Sequence, residues 1–259
     1  MDRMQKILKF IFILLIIVFA FSYFAKEKLP EKNIVPEMSH EPMQTETSRK
    51  SFSFFYRDTK YNVVPLANYE IWGMITTHNN INAWYNFYHD KNSVNIKDVC
   101  VIWGDNLSSK VYTAMTFKSG EWTCYPDWKY PLNRDLVEKF RSNKLSNNHL
   151  LSDKPAVLNT IKKMHIGDQI YLKGILASYG TDSTPERYYR GSSLTREDTG
   201  NGACEVMFVD EAKILKSSNS IWYLLFQISK IGIILVICLQ IILFVIDIYL
   251  KPKKINYHN

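Results

Sequence analysis

The stretch that decides the class of this protein lies near its carboxyl end and reads Ile231-Gly-Ile-Ile-Leu-Val-Ile-Cys-Leu-Gln-Ile-Ile-Leu-Phe-Val-Ile-Asp-Ile-Tyr-Leu250. Its only strongly polar residues are Gln240 and Asp247. A helix that crosses about 30 Å of hydrocarbon needs roughly 20 apolar residues, because each residue advances it by about 1.5 Å. The stretch therefore predicts a membrane-spanning helix. The aromatic segment before it, Ile221–Ser229, predicts an interfacial turn, so that residues 221–250 form one membrane element.

A second apolar run, residues 10–25, lies near the amino end and contains no charged residue. Its length fits either a membrane anchor or a cleaved signal peptide, and Ala20-Phe21-Ser22 offers small residues for a cleavage site. The length of the run and the bulky Tyr23-Phe24 that follows favour an anchor that is not cleaved. We therefore expect a first transmembrane helix over residues 10–25.

The charges around the two apolar runs predict an orientation. The short tails 1–9 and 251–259 are dense in basic residues: Arg3, Lys6, Lys9, Lys251, Lys253 and Lys254. Basic residues mark the cytoplasmic side of membrane proteins. We expect a two-pass protein of a bacterial inner membrane, with both tails cytoplasmic and the middle domain outside. Its partners are then the lipid bilayer and other membrane proteins, which Gln240 could contact through a hydrogen bond within the second span.

The distribution of charge argues against a nucleic-acid partner. The net charge is +7, but residues 26–220 hold 25 of the 32 basic and 23 of the 25 acidic residues, which leaves this region only slightly positive. Nucleic-acid binding requires a basic surface to neutralise phosphates. The excess positive charge belongs to the membrane flanks, so no nucleic acid is predicted.

The middle of the chain reads as a linker followed by a β-rich domain. Residues 26–50 are polar, contain Pro30, Pro36 and Pro42, and predict a linker; residues 51–218 predict the extracytoplasmic domain. Two helices interrupt its strands, and Gly174 is placed where a barrel strand would bend sharply. We expect a mainly β fold with helical insertions, a small antiparallel barrel of oligonucleotide-fold or SH3 type, between the two transmembrane helices; a twisted α+β sandwich is the alternative. The predicted strands are Ser51–Tyr56, Tyr69–Thr77, Lys97–Trp103, Val111–Lys118, Glu121–Tyr125, Gln169–Ser178 and Ala203–Leu215, and the predicted helices are Asn133–Asn143 and Pro155–Met164.

Three cysteines, Cys100, Cys124 and Cys204, fall in the middle domain. In an oxidising compartment two of three would pair, and the residues leave all three pairings open. Cys204 could instead be a nucleophile with His149 or His165 as its base. Because no signature of a cysteine enzyme surrounds Cys204, a disulfide or a buried thiol is the favoured interpretation.

The most distinctive polar segment is the loop Ser192–Glu205. It gathers hydroxyl, acidic and glycine residues, and its candidate binding residues are Arg196, Asp198, Asn201 and Glu205. Arg196 and Asp198 are a charged pair able to hold a polar ligand or to orient the turn. The favoured interpretation is structural, with Asp198 hydrogen-bonding the backbone of the Thr199–Gly202 turn. The histidines of the chain lack the short spacing that zinc requires, so we predict no metal site and no cofactor.

Three segments together resemble an uncharacterised family of bacterial membrane-anchored small β-barrel proteins: Asn147–Ser152, His165–Leu176 and Ser192–Glu205. The resemblance covers about Tyr69–Leu215 and does not extend to the linker or the anchors. The family carries no known activity, so the resemblance implies a location in the bacterial envelope and no catalytic residue.

These observations lead to three functional hypotheses. The first is a non-enzymatic, membrane-anchored envelope protein whose β-domain is a binding or assembly module. The second is a binder of a small ligand or an envelope polymer, because the domain is dense in aromatic side chains that could stack on a sugar or a peptide. The third and least favoured is a membrane-anchored hydrolase that uses the Ser192–Glu205 loop.

Overall fold

The structure of the protein is a computed structural model that describes residues 2–81, 93–120, 122–198 and 204–250. The chain divides into two compact units. One contains both ends of the chain, Met1–Lys28 and Asn219–Asn259, and the other contains Leu29–Ser218.

The first unit is a pair of long apolar helices, α1 (Asp2–Ala25) and α5 (Ser220–Leu250). The rings of Phe19 and Phe226 stack with their centroids 4.9 Å apart. At Gly232 a Cβ atom would lie 3.0 Å from the side chain of Leu15, so the missing side chain lets the helices approach closely. Both helices are long and apolar enough to cross a membrane, which supports the predicted membrane protein. The predicted interfacial turn before the second span is a continuous part of α5.

The second unit is a mixed α/β domain built on a seven-stranded sheet and a separate two-stranded hairpin. The strands of the large sheet are β1 (Met43–Thr45), β2 (Phe52–Tyr56), β3 (Thr59–Asn80), β4 (Lys97–Ile102), β7 (Leu145–Leu151), β8 (Gln169–Thr181) and β9 (Glu205–Lys216); the hairpin pairs β5 (Met115–Ser119) with β6 (Cys124–Trp128). The short helices are α2 (Asp105–Ser108), α3 (Arg134–Val137) and α4 (Pro155–Lys163).

The strand pairings define how the predicted β fold is built. The 22-residue β3 pairs with β1, β2, β4 and β8, while β4 pairs with β7, β7 with β9, and β9 with β8. All these pairs are antiparallel except β7–β9, which is parallel. The sheet is thus larger and more mixed than the predicted small antiparallel barrel, because β1 and β2 extend it along β3 and β9 pairs in parallel with β7. The coarser expectation is confirmed: a β-rich domain with helical insertions lies in sequence between two long apolar helices.

One apolar core holds the sheet and α4 together. Val157 and Ile161 of α4 pack with residues from β3, β4, β8 and β9. The buried Lys97 of β4 donates hydrogen bonds from Nζ to the carbonyl oxygens of Lys162 and Met164, 3.2 and 2.7 Å away. These carbonyls lie at the carboxyl end of α4, where a cation is favoured by the helix dipole. The buried charge on β4 therefore fixes the end of the helix.

Residues 29–50, which we expected to form most of a polar linker, are part of the domain. Met38 is buried in a cluster with Met74, Ile102 and Tyr112. β1 pairs with β3, and Glu41 accepts a hydrogen bond from the indole nitrogen of Trp103 at 2.9 Å. Scattered apolar residues between the prolines anchor this segment, although no helical or strand period marks it.

Several predicted elements are shifted or shortened. The predicted strand 111–118 begins with a 3-10 turn and becomes β5 only at Met115. The predicted helix 133–143 is limited to α3, whose expected N-cap is correct because the Asn133 side chain accepts a hydrogen bond from the backbone N–H of Leu136. β7 was not predicted, because its polar residues do not show the alternation of a strand.

Candidate functional site

A cleft of about 390 Å³ lies where β7, the β5–β6 hairpin and the segment before β9 meet. Polar side chains dominate its walls. Its lining residues are Thr123, Cys124, Tyr125, Ser142, Leu145, Ser146, Asn147, Thr195, Arg196, Glu197, Asp198, Cys204 and Glu205. We call this the cleft.

The cleft brings together three of the four predicted binding residues. Arg196 and Asp198 precede β9, and Glu205 is the first residue of β9. The fourth, Asn201, lies outside the described residues. Cys204 and Glu205 both line the cleft where β9 begins, and the groups around each of them differ, which gives the cleft two chemically different sides.

The first side carries Arg196. Its guanidinium Cζ lies 5.7 Å from the ring centroid of Tyr69 and 5.6 Å from that of Trp103. Nη2 donates a hydrogen bond to the Tyr69 hydroxyl at 3.3 Å. Nε is buried and has no hydrogen-bond partner among the described residues. Arg196 is therefore held by aromatic rings while one of its N–H donors stays available.

Glu205 lies on the same side and is 4% exposed. Burial, with a smaller contribution from the nearby charges of Cys204 and Asp198, raises the pKa of its carboxyl to about 8, although a hydrogen bond with its own backbone and the charge of Arg196 act to lower it. Its Oε2 atom is buried and has no hydrogen-bond partner within the described part of the chain. At neutral pH the carboxyl is therefore mostly protonated and can donate as well as accept a hydrogen bond.

Asp198 contacts the turn before β9. Its Oδ2 lies 2.6 Å from the Ser193 hydroxyl oxygen, which also lies 2.7 Å from the carbonyl oxygen of Thr195, so the single hydroxyl proton is donated to one of these two acceptors at a time. Ser193 is buried, and its backbone N–H donates to the carbonyl oxygen of Cys204 at 3.0 Å. Asp198 therefore contributes to the turn geometry that brings Arg196 into the cleft.

The second side carries a chain of hydrogen-bonded groups that ends in a thiol. Asp98 of β4 and His149 of β7 are both buried, and Asp98 Oδ1 lies 2.6 Å from His149 Nδ1. Asn147 contributes its Nδ2, which lies 3.4 Å from His149 Nε2 and 3.6 Å from Cys204 Sγ. We call Asp98, His149 and Cys204 the thiol relay.

Arg190 determines which ring nitrogen of His149 carries the proton. Its Nη2 lies 2.6 Å from His149 Nε2, and its guanidinium lies over the ring of Trp122. A guanidinium has only donors, so this contact places the lone pair of the neutral imidazole on Nε2 and its N–H on Nδ1, facing Asp98. The Nε2 lone pair is thus directed at the guanidinium of Arg190.

The pKa values of the relay shift in opposite directions. Burial raises the pKa of the Cys204 thiol, but hydrogen bonds from His149, Asn147 and Thr123 and the charge of His149 outweigh it, so the pKa is lowered. Burial and Arg190 lower the pKa of His149, but its bonds to Asp98 and Cys204 outweigh them, so the pKa is raised. Both shifts favour transfer of the thiol proton to the imidazole.

A disulfide-distance pair, Cys100–Cys124, fixes the hairpin beside the cleft. Cys100 lies on β4 and Cys124 opens β6, with their Cα atoms 6.1 Å apart. This agrees with the expectation that two of the three domain cysteines pair, and it leaves Cys204 as a free thiol. Next to Cys124, the Thr123 hydroxyl lies 3.7 Å from Cys204 Sγ. The pair therefore holds one wall of the cleft against the thiol.

Sequence reasoning missed most of the second side. Neither Asp98 nor Asn147 was predicted to be a functional residue, and His149 was predicted only as one of two alternative bases for Cys204. The other candidate, His165, is not among the residues that line the cleft and faces Asp168 instead. The polar run of β7 was the available signal, since it belongs to a segment that carries the family resemblance.

Among the described residues, no group of three or more His, Cys, Asp or Glu side chains is arranged to hold a metal ion. Comparison of the chain with protein-family models, with curated proteins and with solved structures finds no match. The function must therefore be argued from the cleft itself.

Proposed function

We propose that this protein is a membrane-anchored binding module of the bacterial envelope, whose domain Leu29–Ser218 faces the extracytoplasmic side and binds a small polar ligand in the cleft. The two apolar helices support the anchoring. The basic tails support cytoplasmic ends, and the Cys100–Cys124 pair supports an oxidising compartment.

The observation that carries the proposal is a pair of buried polar atoms beside the cleft, Arg196 Nε and Glu205 Oε2, which have no hydrogen-bond partner among the described residues. Buried polar groups in native proteins nearly always have partners, because an unsatisfied one costs about 1–3 kcal/mol. A ligand that brings an acceptor for the Arg196 N–H and a polar group for Glu205 would satisfy both. A carboxylate next to a hydroxyl or an amide has this chemistry.

The strand order supports a ligand-binding role. We propose that β3, β4, β7, β8 and β9 form the five strands of a partly open barrel of the oligonucleotide-binding type, with α4 between the third and fourth strands. Folds of this type bind ligands, sugars among them, on the face of the second and third strands and on the loop between the fourth and fifth. Here those positions are β4, β7 and the connection between β8 and β9; of these, β7 and the described residues Thr195–Asp198 and Cys204 contribute to the cleft.

The ligand class we propose is a carboxylate-bearing fragment of an envelope polymer. The exposed ring of Tyr125 lines the cleft and offers a surface on which a sugar could stack. The test uses the full chain in detergent micelles, with N-acetylmuramic acid as the probe and N-acetylglucosamine, which lacks the carboxylate, as its matched control. Titration calorimetry measures both.

We expect N-acetylmuramic acid to bind and N-acetylglucosamine to bind at least about tenfold more weakly, since a charge-assisted hydrogen bond contributes about 1.5–3 kcal/mol. Arg196→Gln should weaken binding of N-acetylmuramic acid by a similar factor. Arg187→Gln is the control, because Arg187 lies over the exposed ring of Tyr188, outside the cleft. Equal affinity for the two sugars, or equal affinity of wild type and Arg196→Gln, would refute the proposed ligand class.

A further inference from the structure

The ligand proposed above enters a part of the cleft that already holds a buried acid. Glu205 is buried, and neither its Oε2 atom nor Nε of Arg196 has a hydrogen-bond partner among the described residues. The guanidinium of Arg196 acts on the Glu205 carboxyl through its charge and not through a hydrogen bond. Glu205 is therefore a buried carboxyl to which no cation in the described part of the chain is hydrogen-bonded.

A ligand carboxylate at Arg196 would bring a second acid into this buried space. One guanidinium balances the charge of one carboxylate, and two ionised carboxylates side by side repel each other strongly where water is excluded. The stable arrangement of such a pair is a shared proton, in which one acid is neutral and donates a hydrogen bond to the other. Glu205 has the capacity for this bond, because its Oε2 makes no other within the described residues.

We propose that Glu205 selects a carboxylate ligand by binding it as a neutral acid, which donates its proton to the ligand carboxylate. When Glu205 is ionised in the free protein, binding takes up one proton from the solvent. The occupied site then holds one cation, one ligand anion and one neutral acid, so its charges balance. This inference rests on the proposed function, since it concerns the same ligand on the same side of the cleft. It adds a specificity-determining residue and a direction of pH dependence, with weaker binding as pH rises.

The surroundings of Glu205 decide which other groups could supply or take up this proton. The titratable groups that face it are Tyr69 on β3 and, in the segment before β9, Arg196, Asp198 and Cys204. The neighbouring strand β7 places the uncharged Asn148 opposite Glu205. Tyr69 stays neutral, because burial and the charge of Glu205 raise the pKa of its hydroxyl, and Arg196 stays charged. An ordinary thiol titrates at about pH 8.5, so Cys204 is the competing group that the test must separate from Glu205.

The test is titration calorimetry of the full chain in detergent micelles with N-acetylmuramic acid as the probe. Each titration is made at pH 6, 8 and 9 in two buffers of different ionisation enthalpy, since the difference in heat gives the number of protons taken up per ligand. Because burial raises the pKa of the Glu205 carboxyl to about 8, we expect almost no uptake at pH 6, about half a proton at pH 8 and close to one at pH 9. Affinity should fall about tenfold between pH 6 and pH 9.

Glu205→Gln gives the sharpest comparison, because its amide donates a hydrogen bond at every pH. This variant should take up no proton, bind equally at pH 6 and pH 9, and bind about tenfold more tightly than the wild type at pH 9. A residue that only supports the fold would not produce tighter binding when it is replaced. Glu211→Gln is the matched control, since Glu211 lies on the same strand and pairs with Lys213 outside the cleft, and it should behave as the wild type.

Cys204→Ser separates the two groups that can titrate, and it should still take up a proton when the ligand binds. This measurement also decides the proposal if Glu205→Gln does not fold. Proton uptake that disappears in Cys204→Ser would assign the proton to the thiol and overturn the proposal.

The remaining outcomes distinguish this inference from the proposed function. Binding of N-acetylmuramic acid by the wild type without proton uptake at any of the three pH values would overturn the role of Glu205 and leave the ligand class standing. Absence of binding at all three pH values would refute the ligand class and, with it, this inference.

Discussion

The carboxyl of Glu205 and the guanidinium of Arg196 show at the scale of single residues how the cleft is organised. Both side chains are placed in a buried environment, and each keeps one polar atom without a partner among the described residues. The aromatic rings of Tyr69 and Trp103 exclude water from this side, which raises the pKa of the glutamate. The protonation state of the Glu205 carboxyl therefore depends on this side of the cleft staying buried.

We predict that Glu205→Gln removes a pH dependence of stability. The folded pKa of about 8 lies above the ordinary value of 4.5, so the folded state retains the proton at pH values where the unfolded state has lost it. The free energy of unfolding of the wild type should therefore fall as pH rises from about 4.5 to 8, by up to about 1.4 kcal/mol per pH unit. Above pH 8 the contribution is constant.

Urea unfolding of the full chain, followed by tryptophan fluorescence at several pH values, measures this difference. Glu211→Gln is the control, because Glu211 lies on the same strand but is paired with Lys213 outside the cleft. If wild type and Glu205→Gln have parallel pH profiles, the Glu205 carboxyl is not protonated in the folded state.

Gly174 is a second residue where a single atom, the Cβ that glycine lacks, affects the stability of the protein. A Cβ atom there would lie 2.0 Å from the carbonyl oxygen of Phe208, at a register shift between β8 and β9. Gly174→Ala should lower the free energy of unfolding by about 1–3 kcal/mol or more, since the two strands must separate. Gly191→Ala, where the nearest atom would be 3.9 Å away, should change it little. Equal stability of the two variants would contradict this close approach.

At the scale of elements, the β5–β6 hairpin depends on one covalent link to the sheet. Cys100 and Cys124 close a loop with a sequence separation of 24 residues. In the chain-entropy model such a link contributes roughly 3–4 kcal/mol. The hairpin also carries Trp122 and Thr123, which contact Cys204, so loss of the link affects the cleft as well as stability.

We predict that maleimide labelling of the unfolded, unreduced protein modifies Cys204 and Cys238 and leaves Cys100 and Cys124 unmodified. Replacing both paired cysteines by serine should lower the free energy of unfolding by roughly 3–4 kcal/mol and change the reactivity of Cys204. The single variant Cys238→Ser should leave stability nearly unchanged. Four labelled cysteines in the wild type would show that no pair forms and would weaken the proposed extracytoplasmic location.

β7 shows why an element can carry a site without a recognisable pattern. Its polar residues Ser146, Asn147, Asn148 and His149 are all buried, although such side chains usually favour loops. Neighbouring strands and the hairpin supply their hydrogen bonds, and burial then costs little. The sheet, and not the local propensity of the segment, determines this strand.

For the whole molecule, the two apolar helices at the ends of the chain determine where the domain can function. We predict that the protein remains in the membrane after alkaline carbonate washing, because each helix can bury a full span of apolar residues. A periplasm-active reporter should be inactive after Asn259 and active when fused at Ser48 or Ser218. An active reporter after Asn259 would refute cytoplasmic tails.

The sequence by itself determined the features that depend on local composition. Two apolar runs predicted the two long helices, and Asn133 and Pro155 predicted helix starts, because span length and capping depend on residues near in the chain. The alternating aromatic and β-branched segments predicted most strands of the sheet. Arg196, Asp198 and Glu205 were recognised as neighbours of one cleft because they lie within one short loop.

Only the tertiary structure decided the features that depend on residues far apart. The pairing of Cys100 with Cys124, the packing of residues 29–50 on the sheet and the parallel pairing of β7 with β9 all join distant segments. The thiol relay is the clearest example of such a feature, since Asp98, His149 and Cys204 come from three separate regions of the chain. Nothing in the local sequence distinguishes these residues, because their chemistry comes from distances that the folded sheet alone sets.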